Sequence, residues 1–241
     1  MSDPLAPLLE LEGVPDAVKA AQDAVFGVHR HPVNLRNASV TAAEASVRAA
    51  RASAAIDGAD PEIPGDATVT DPVLAGALRV AESLESLLPT WRRAPRQALA
   101  KIHVLAASDL VENPDQLGRP REGAGARLEL LTQLMTGATS VPGPVLTAVV
   151  HGELLALRPF GTADGVVARA AARLTMVATG VDPKSLTIPE VACLRRAARY
   201  RDAADAFATG EPDGVRDWLL FICDALERGA REARSIAEAA S

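Results

Sequence analysis

The chain has 241 residues, which is enough for one large domain with its own hydrophobic core. Its formal net charge of −6 argues against a general nucleic-acid binder, because phosphate contacts need a basic surface. Hydrophobic residues make up 48% of the chain but aromatic residues only 3%, and alanine accounts for most of the difference. Alanine has the highest helix propensity, so the composition favours an all-α protein.

The predicted elements follow from apolar residues at helical spacing and from the glycines and prolines between them. Together they indicate a compact bundle of about eight helices. A short helix is predicted at 16–28, and the longer ones at 41–56, 72–88, 94–110, 127–135, 144–157, 164–178, 189–208 and 213–239. Two connections are long, 58–70 and 111–126, and long loops in compact domains are often functional.

Several helix starts carry capping residues. Thr41 with Glu44 matches a capping box, and a second capping box pairs Thr187 with the glutamate three residues later. Asp71 before a proline is expected to cap the helix that it precedes. Asp164 is expected to cap the helix 164–178 in the same way.

The elements divide the chain into an N-terminal extension (1–70), a helical core (71–212) and a C-terminal helix (213–241). The last helix has a strong apolar stripe. We expect this stripe to pack on the core, and the alternative is pairing with another subunit, so a monomer and a homodimer both stay open. The stripe consists of Trp218, Leu219, Phe221, Ile222 and Leu226.

The start of the chain lacks the basic residues and long apolar core of a signal peptide, and we find no candidate transmembrane helix. We therefore expect a cytoplasmic protein that contacts neither membranes nor nucleic acids. Cys193 and Cys223 lie in predicted helices, and reduced thiols are expected there rather than a disulfide. His29 and His31 lack further ligands nearby, so they do not predict a metal site.

The segment "VVHGELLALRPFGTADGVVARAAARL" joins an apolar helix to an Arg-Pro-Phe turn, an Asp-Gly step and two arginines one helical turn apart. It resembles the active-site region of Fic-domain proteins, whose pattern is H-x-F-x-[D/E]-G-N-G-R-x-x-R. In this alignment Asp164 follows Phe160 two residues later than the family's acidic residue would. The residues that carry the resemblance are Arg158, Pro159, Phe160, Asp164, Gly165, Arg169 and Arg173.

Two further segments agree, in the family's order, so that the resemblance covers about residues 45–180. "ARASAAIDGAD" is similar to the inhibitory-helix motif [S/T]-x-x-x-[E/D]-[G/N], with Ser53, Asp57 and Gly58 at its positions. "KIHVLAASDLVENPDQLGRPRE" resembles the family's Leu-His helix and the "GRFR"-like turn after it. The matching residues there are His103, Gly118, Arg119 and Arg121.

The resemblance implies a mostly helical Fic-like core. It also implies an activity, because active members transfer AMP or a related group to a protein hydroxyl, with the motif histidine accepting the proton. Arg158 stands in place of that histidine, and a guanidinium has no acceptor atom at neutral pH. Val166 and Val167 replace the Asn-Gly pair and are expected to obstruct the phosphate cradle. The helical pattern after 121 leaves little room for the hairpin on which targets dock.

We therefore expect a protein with a degenerate Fic motif and without ordinary AMP transfer, acting by binding a partner protein or a nucleotide-like anion. The alternative is an active protein adenylyltransferase with an altered mechanism or donor. ATP and Mg²⁺ are the cofactors that the resemblance implies, with Asp164 as the candidate metal ligand. The candidate residues for binding a nucleotide or anion are Arg158, Phe160, Asp164, Gly165, Arg169 and Arg173.

In the inhibitory motif, Asp57 is expected to pair with Arg169 or Arg173, and the alternative is that these residues are solvated. His151 lies about 10 Å along the helix from Arg158, too far to replace the base. We interpret His151 as a structural histidine that binds a neighbouring backbone group, and His103 as a histidine packed between helices.

Overall fold

The computed structural model describes residues 3–63 and 69–240, and within them the protein is all-α, with no strand. These residues form eleven α-helices, so the predicted number of about eight was too low. The helices are α1 (Val14–His29), α2 (Pro32–Arg36), α3 (Ser39–Ile56), α4 (Pro72–Arg93), α5 (Pro95–Ala107), α6 (Gly125–Gln133), α7 (Gly143–Leu157), α8 (Asp164–Ala178), α9 (Pro189–Arg195), α10 (Ala197–Ala208) and α11 (Pro212–Ala239).

Two helices account for most of the difference in number. The short helix α2 was not predicted at all. The single helix predicted at 189–208 is divided into α9 and α10, because Arg196 has a non-helical backbone with φ of −129°. Part of the predicted loop 58–70, residues 64–68, lies outside the described residues.

One of the predicted caps is confirmed. Asp71 accepts hydrogen bonds from the backbone N–H groups of Val73 and Leu74, each at 2.9 Å, and so caps α4. The capping box at Thr41 is wrong, because α3 begins two residues earlier and Thr41 is already inside it. The buried Thr41 hydroxyl instead donates to Asn34 Oδ1 at 2.7 Å, which joins α3 to α2.

The second predicted capping box is also wrong. α9 begins at Pro189, and no side chain caps it. The Glu190 carboxylate binds Arg173 on α8 instead. The Glu190 carboxylate, which a capping box would have used at the start of α9, is therefore part of a buried ion pair.

The hydrophobic core has two main parts that meet at α7. One part is formed chiefly by α4, α5, α7 and α8, and the other by α1, α7, α10 and α11. The apolar stripe of α11 is buried within the chain, and the Trp218 indole N–H donates to the Ala148 carbonyl of α7 at 2.8 Å. The packing of α11 on α7 and α10 positions two of the helices that carry the candidate site.

Cys193 and Cys223 are both buried and free, as expected for reduced thiols. Burial raises the pKa of each thiol to about 12. Within the described residues, no helix has a stretch long and apolar enough to cross a bilayer.

Candidate functional site

The Arg-Pro-Phe turn forms a tight loop between α7 and α8. Arg158 ends α7 with φ of +47°, and Ala163 precedes α8 with φ of +51°. Both residues carry a Cβ, so both are in the left-handed region that favours glycine. Strained residues of this kind persist where the surrounding structure holds them, and often at functional sites. Phe160 is buried between them, whereas the Arg158 side chain is exposed.

Asp164 holds this loop closed. The prediction that it caps α8 is wrong, because its side chain binds the loop instead. Its Oδ1 accepts the Phe160 N–H at 2.9 Å, and its Oδ2 accepts the Gly161 N–H at 2.8 Å. Burial raises the pKa of the Asp164 carboxyl, and the two backbone N–H groups oppose that shift. The carboxylate therefore points back into the loop, with both oxygens in use.

His103 supports the loop from α5. Its ring stacks on Phe160 with centroids 4.3 Å apart, and its Nδ1 accepts the Gly118 N–H at 2.9 Å. Burial lowers the pKa of His103, so the neutral form is favoured. In that form Nε2 carries the proton and donates to Thr162 Oγ1 at 3.0 Å. His103 is therefore a buried, structural histidine that binds a backbone N–H group, but it packs between the loop at Phe160 and the turn at Gly118 rather than between two helices. In this tautomer it cannot take a proton from Thr162.

The turn that contains Gly118 also fixes the end of α7. The Arg121 guanidinium donates to the carbonyls of Leu157 and Arg158 at 3.3 and 2.5 Å. The Arg121 backbone N–H donates to the Pro159 carbonyl at 2.7 Å. These bonds satisfy carbonyls that the end of a helix leaves without partners. Arg119 is exposed in the same turn.

The inhibitory-helix residues meet Arg169. Asp57 Oδ2 lies 2.7 Å from Arg169 Nη2, which is one of the two pairings expected from the sequence. Ser53 adds two contacts, from its Oγ to Arg169 Nε at 2.7 Å and from its carbonyl to Nη2 at 2.9 Å. Gly58, with φ of +93°, follows the end of α3 and turns the chain away from the helix. The Arg169 side chain is only 3% exposed, so α3 is anchored to the interior through this guanidinium.

The Asp57 carboxylate also lies against the N-terminal turn of α8. A Cβ on Gly165 would be 2.6 Å from both carboxylate oxygens, so only glycine leaves room for them. The N-terminus of a helix favours negative charge, because its backbone N–H groups and the helix dipole point that way. Asp57 therefore occupies a position that suits an anion, between the start of α8 and Arg169.

Arg173 lies apart from Asp57 and the loop. Its Nη2 is 2.9 Å from Glu190 Oε2, and its Nη1 is 2.8 Å from Ser185 Oγ. Both partners of the Arg173–Glu190 pair are buried. The alternative of a solvated arginine face is therefore wrong for Arg169 and for Arg173.

Val166 and Val167 do not obstruct a cradle, contrary to expectation. Both lie within α8 and are buried in the core, at 3% and 0% exposure. The residue beside the Asp57 carboxylate is Gly165. The prediction aligned these valines with the Asn-Gly pair of the motif. In the structure the first turn of α8, beside Asp57, begins instead with Asp164 and Gly165.

A cleft of about 630 Å³ opens between the ends of α3 and α7, the start of α8 and one side of α10. Of the six candidate binding residues, four line it, and Phe160 and Arg173 do not. Its wall also includes two residues that sequence reasoning missed, Tyr200 and Arg201. No local motif marks them, because α10 brings them to the cleft from elsewhere in the chain. The four candidates that line the cleft are Arg158, Asp164, Gly165 and Arg169.

His151 lies behind the cleft and binds a side chain rather than the predicted backbone group. Its Nε2 is 2.8 Å from the Tyr200 hydroxyl, which in turn lies 3.5 Å from Arg169 Nη1. Burial, and then the nearby Arg169 charge, lower the pKa of His151 to about 3. His151 is therefore a neutral, structural histidine at physiological pH.

Asp164 is the candidate Mg²⁺ ligand. Each of its oxygens accepts one backbone N–H group, which leaves one lone pair on each oxygen for a further partner. In the described part of the chain, no group of three or more His, Cys, Asp or Glu side chains could hold a metal ion.

Comparison with known proteins gives no match to a protein-family model or to a curated protein. Solved structures do match. A Fic family protein from Desulfovibrio desulfuricans G20 has a TM-score of 0.72 at 20% identity, over 93% of this chain and 75% of that chain. Fic-1 from C. elegans also has a TM-score of 0.72, at 15% identity, over 95% of this chain and 74% of that chain. The chain thus has a Fic-like fold.

Proposed function

We propose that this protein binds an anion, such as the phosphates of a nucleotide, in the cleft and does not carry out ordinary AMP transfer. The observation that supports it best is the position of the Asp57 carboxylate, between Arg169 and the start of α8. A negatively charged group of the chain itself already occupies a site built for an anion. An external anion would make the same contacts once Asp57 moves away.

The spacing of the motif supports the loss of activity. Arg169 follows Arg158 by eleven residues, which is also the separation between the family's histidine and its second arginine. With that register and no insertion, Arg169 takes the place of the second arginine, in keeping with its contacts to Ser53 and Asp57. Thr162 then replaces the acidic residue, and Val166 replaces the first arginine.

Three chemical groups of the reaction would then be missing together. Arg158 supplies no proton acceptor, because a guanidinium stays protonated and has no lone pair to offer. Thr162 supplies no carboxylate for a metal ion. Val166 is buried and supplies no positive charge for the phosphates. Arg158 can still bind a phosphate oxygen from the rim of the cleft through its forked donors.

The proposal is tested by removing the internal competitor. We expect ATP to raise the melting temperature of Asp57→Ala more than that of the unchanged protein, because the anion site is then vacated. Asp202→Ala is the matched control, since Asp202 is exposed, carries the same charge and does not line the cleft. Equal shifts in all three proteins would contradict the proposal.

Incubation with α-labelled ATP and Mg²⁺ separates binding from transfer. We expect no labelled protein from the unchanged chain at neutral pH, and little from Arg158→His, because Thr162 and Val166 still lack the required groups. A transferase with an altered mechanism, the alternative function, predicts label in the unchanged chain. Strong labelling by Arg158→His alone would show that the histidine is the only group missing.

A further inference from the structure

A second, smaller depression lies between α9 and α11. It has a volume of about 260 Å³, and half of the residues that line it are arginines. The chain as a whole has a net charge of −6, so this surface has the opposite sign. We call it the arginine groove, and its charged residues are Arg195, Arg196, Arg228, Arg231 and Glu232.

Carboxylates in and beside the groove are too few to neutralise these guanidinium groups. Asp224 is shared, because it accepts from both Arg196 and Arg228. Glu232 binds Arg195 at 3.2 Å and also Arg48 of α3 at 3.0 Å, although Arg48 has a second carboxylate partner, Glu44, at 2.6 Å. Glu227 is a further carboxylate close to Arg228, so four arginines of the groove face three carboxylates. Arg231 adds a further exposed cation. The groove therefore keeps a surplus of positive charge that a bound anion would neutralise.

Arg196 is held in place with one donor group unused. Its guanidinium lies 4.7 Å from the centroid of the Phe221 ring, its Nη1 binds Asp224, and its Nε donates to the Ala192 carbonyl. Its Nη2 is buried and has no hydrogen-bond partner among the described residues. Phe221 and Asp224 thus fix the guanidinium group at the wall of the groove, where the Arg196 side chain is 25% exposed.

We propose that the arginine groove binds a phosphate monoester dianion. Guanidinium groups bind phosphate oxygens in pairs, and clusters of arginine are the usual device for recognising a phosphorylated side chain. The groove has room for one phosphate group and the atoms next to it. The dianion comes either from a phosphorylated side chain of a partner protein or from a free phosphate compound. None of the residues involved lines the cleft, so this site is independent of the function proposed above.

The test is calorimetric titration of the full chain with inorganic phosphate and with a short peptide in its serine and phosphoserine forms. The variant Arg228→Ser/Arg231→Ser removes two cations from the groove. We expect it to bind phosphate and the phosphopeptide at least about tenfold more weakly than the unchanged protein. The matched control is Arg92→Ser/Arg93→Ser, which removes the same charge from exposed positions on α4 and should bind within about twofold of the unchanged protein.

The remaining comparisons identify the source and the class of the ligand. Tighter binding of the phosphopeptide than of inorganic phosphate points to a partner protein, and equal binding points to a free phosphate compound. Equal affinities in the groove variant and its control would overturn the proposal, as would no binding at millimolar phosphate. A peptide with glutamate in place of phosphoserine that binds equally well would also overturn it.

Discussion

At the scale of single residues, the geometry of the candidate site depends on which charged side chains form ion pairs and which are exposed. Arg169 is buried and is met by Asp57 and Ser53, whereas Arg158 is exposed at the end of α7. The sequence alone could predict that Asp57 meets an arginine, because the motif spacing places it at a helix end. The alignment with an insertion left Arg169 and Arg173 both open, although the eleven-residue spacing from Arg158 favours Arg169. In the structure Arg173 pairs with Glu190 instead.

Gly165→Ala tests the closeness of Asp57 to α8. The added methyl group would lie 2.6 Å from both Asp57 carboxylate oxygens and would force them away. We expect the free energy of unfolding to fall by about 1–3 kcal/mol. In an Asp57→Ala background most of that cost should disappear. Urea unfolding of the two single variants and the double variant measures the coupling, and additive losses would contradict the contact.

His151 predicts a dependence of stability on pH. Its pKa is lowered from 6.5 to about 3 in the folded protein, so below about pH 6.5 the unfolded chain binds a proton that the folded chain does not. Stability from this group is therefore complete above the unfolded pKa and is lost as the pH falls, by about 2–3 kcal/mol at about pH 4.5.

His151→Gln is the variant that isolates this effect, because glutamine does not titrate and can still hydrogen-bond the Tyr200 hydroxyl. Urea unfolding at neutral pH and at about pH 4.5 measures how much of the free energy of unfolding is lost on acidification. We expect that loss to be about 2–3 kcal/mol smaller in His151→Gln than in the unchanged protein. The same loss in both proteins would mean that His151 is not buried as a neutral group.

At the scale of helices, the chain packs closely because many contact residues are alanine or glycine. α4 and α5 approach each other at Gly76, where a Cβ would overlap the backbone carbonyl of Ala106. Helical periodicity predicted most of these helices, since apolar spacing and proline positions are local features. It could not predict the break at Arg196 or the short helix α2, because both depend on contacts with distant segments.

Gly76→Ala should therefore destabilise the protein, although alanine is the better helix former. We expect a loss of about 3 kcal/mol, because a backbone carbonyl cannot move aside as a side chain can. Gly125→Ala in α6 is the matched control, since no atom lies within 4 Å of its added Cβ. That variant should be unchanged or up to about 1 kcal/mol more stable. Similar effects at both positions in thermal unfolding would refute the close approach of α4 and α5.

At the scale of the whole molecule, α11 completes the second part of the core. Trp218, Phe221 and Leu226 are buried against other helices, so removal of α11 would expose a large apolar surface. The fold could be predicted from the sequence because three weak motif matches occur in order over about 135 residues. The cleft could not, because it needs α10 beside α7 and α8, and α10 carries no motif.

A chain that ends at residue 211 should accordingly lose its cooperative thermal transition. The missing stripe would leave the apolar sides of α1 and α10 facing water, and burial of such surface is the main source of stability. A chain that ends at residue 239 keeps all of α11 and serves as the control. A native-like circular dichroism spectrum with a sharp transition in the shorter chain would show that α11 is dispensable.

The two cysteines have a practical consequence for spectroscopy. Both thiols are enclosed in the protein and hold their protons well above physiological pH, so they react slowly with maleimides and similar reagents. A cysteine introduced at the exposed position Arg158 would then be the one fast-reacting thiol of the folded chain. A fluorophore or spin label attached there would report directly on what enters the cleft, without first replacing either natural cysteine.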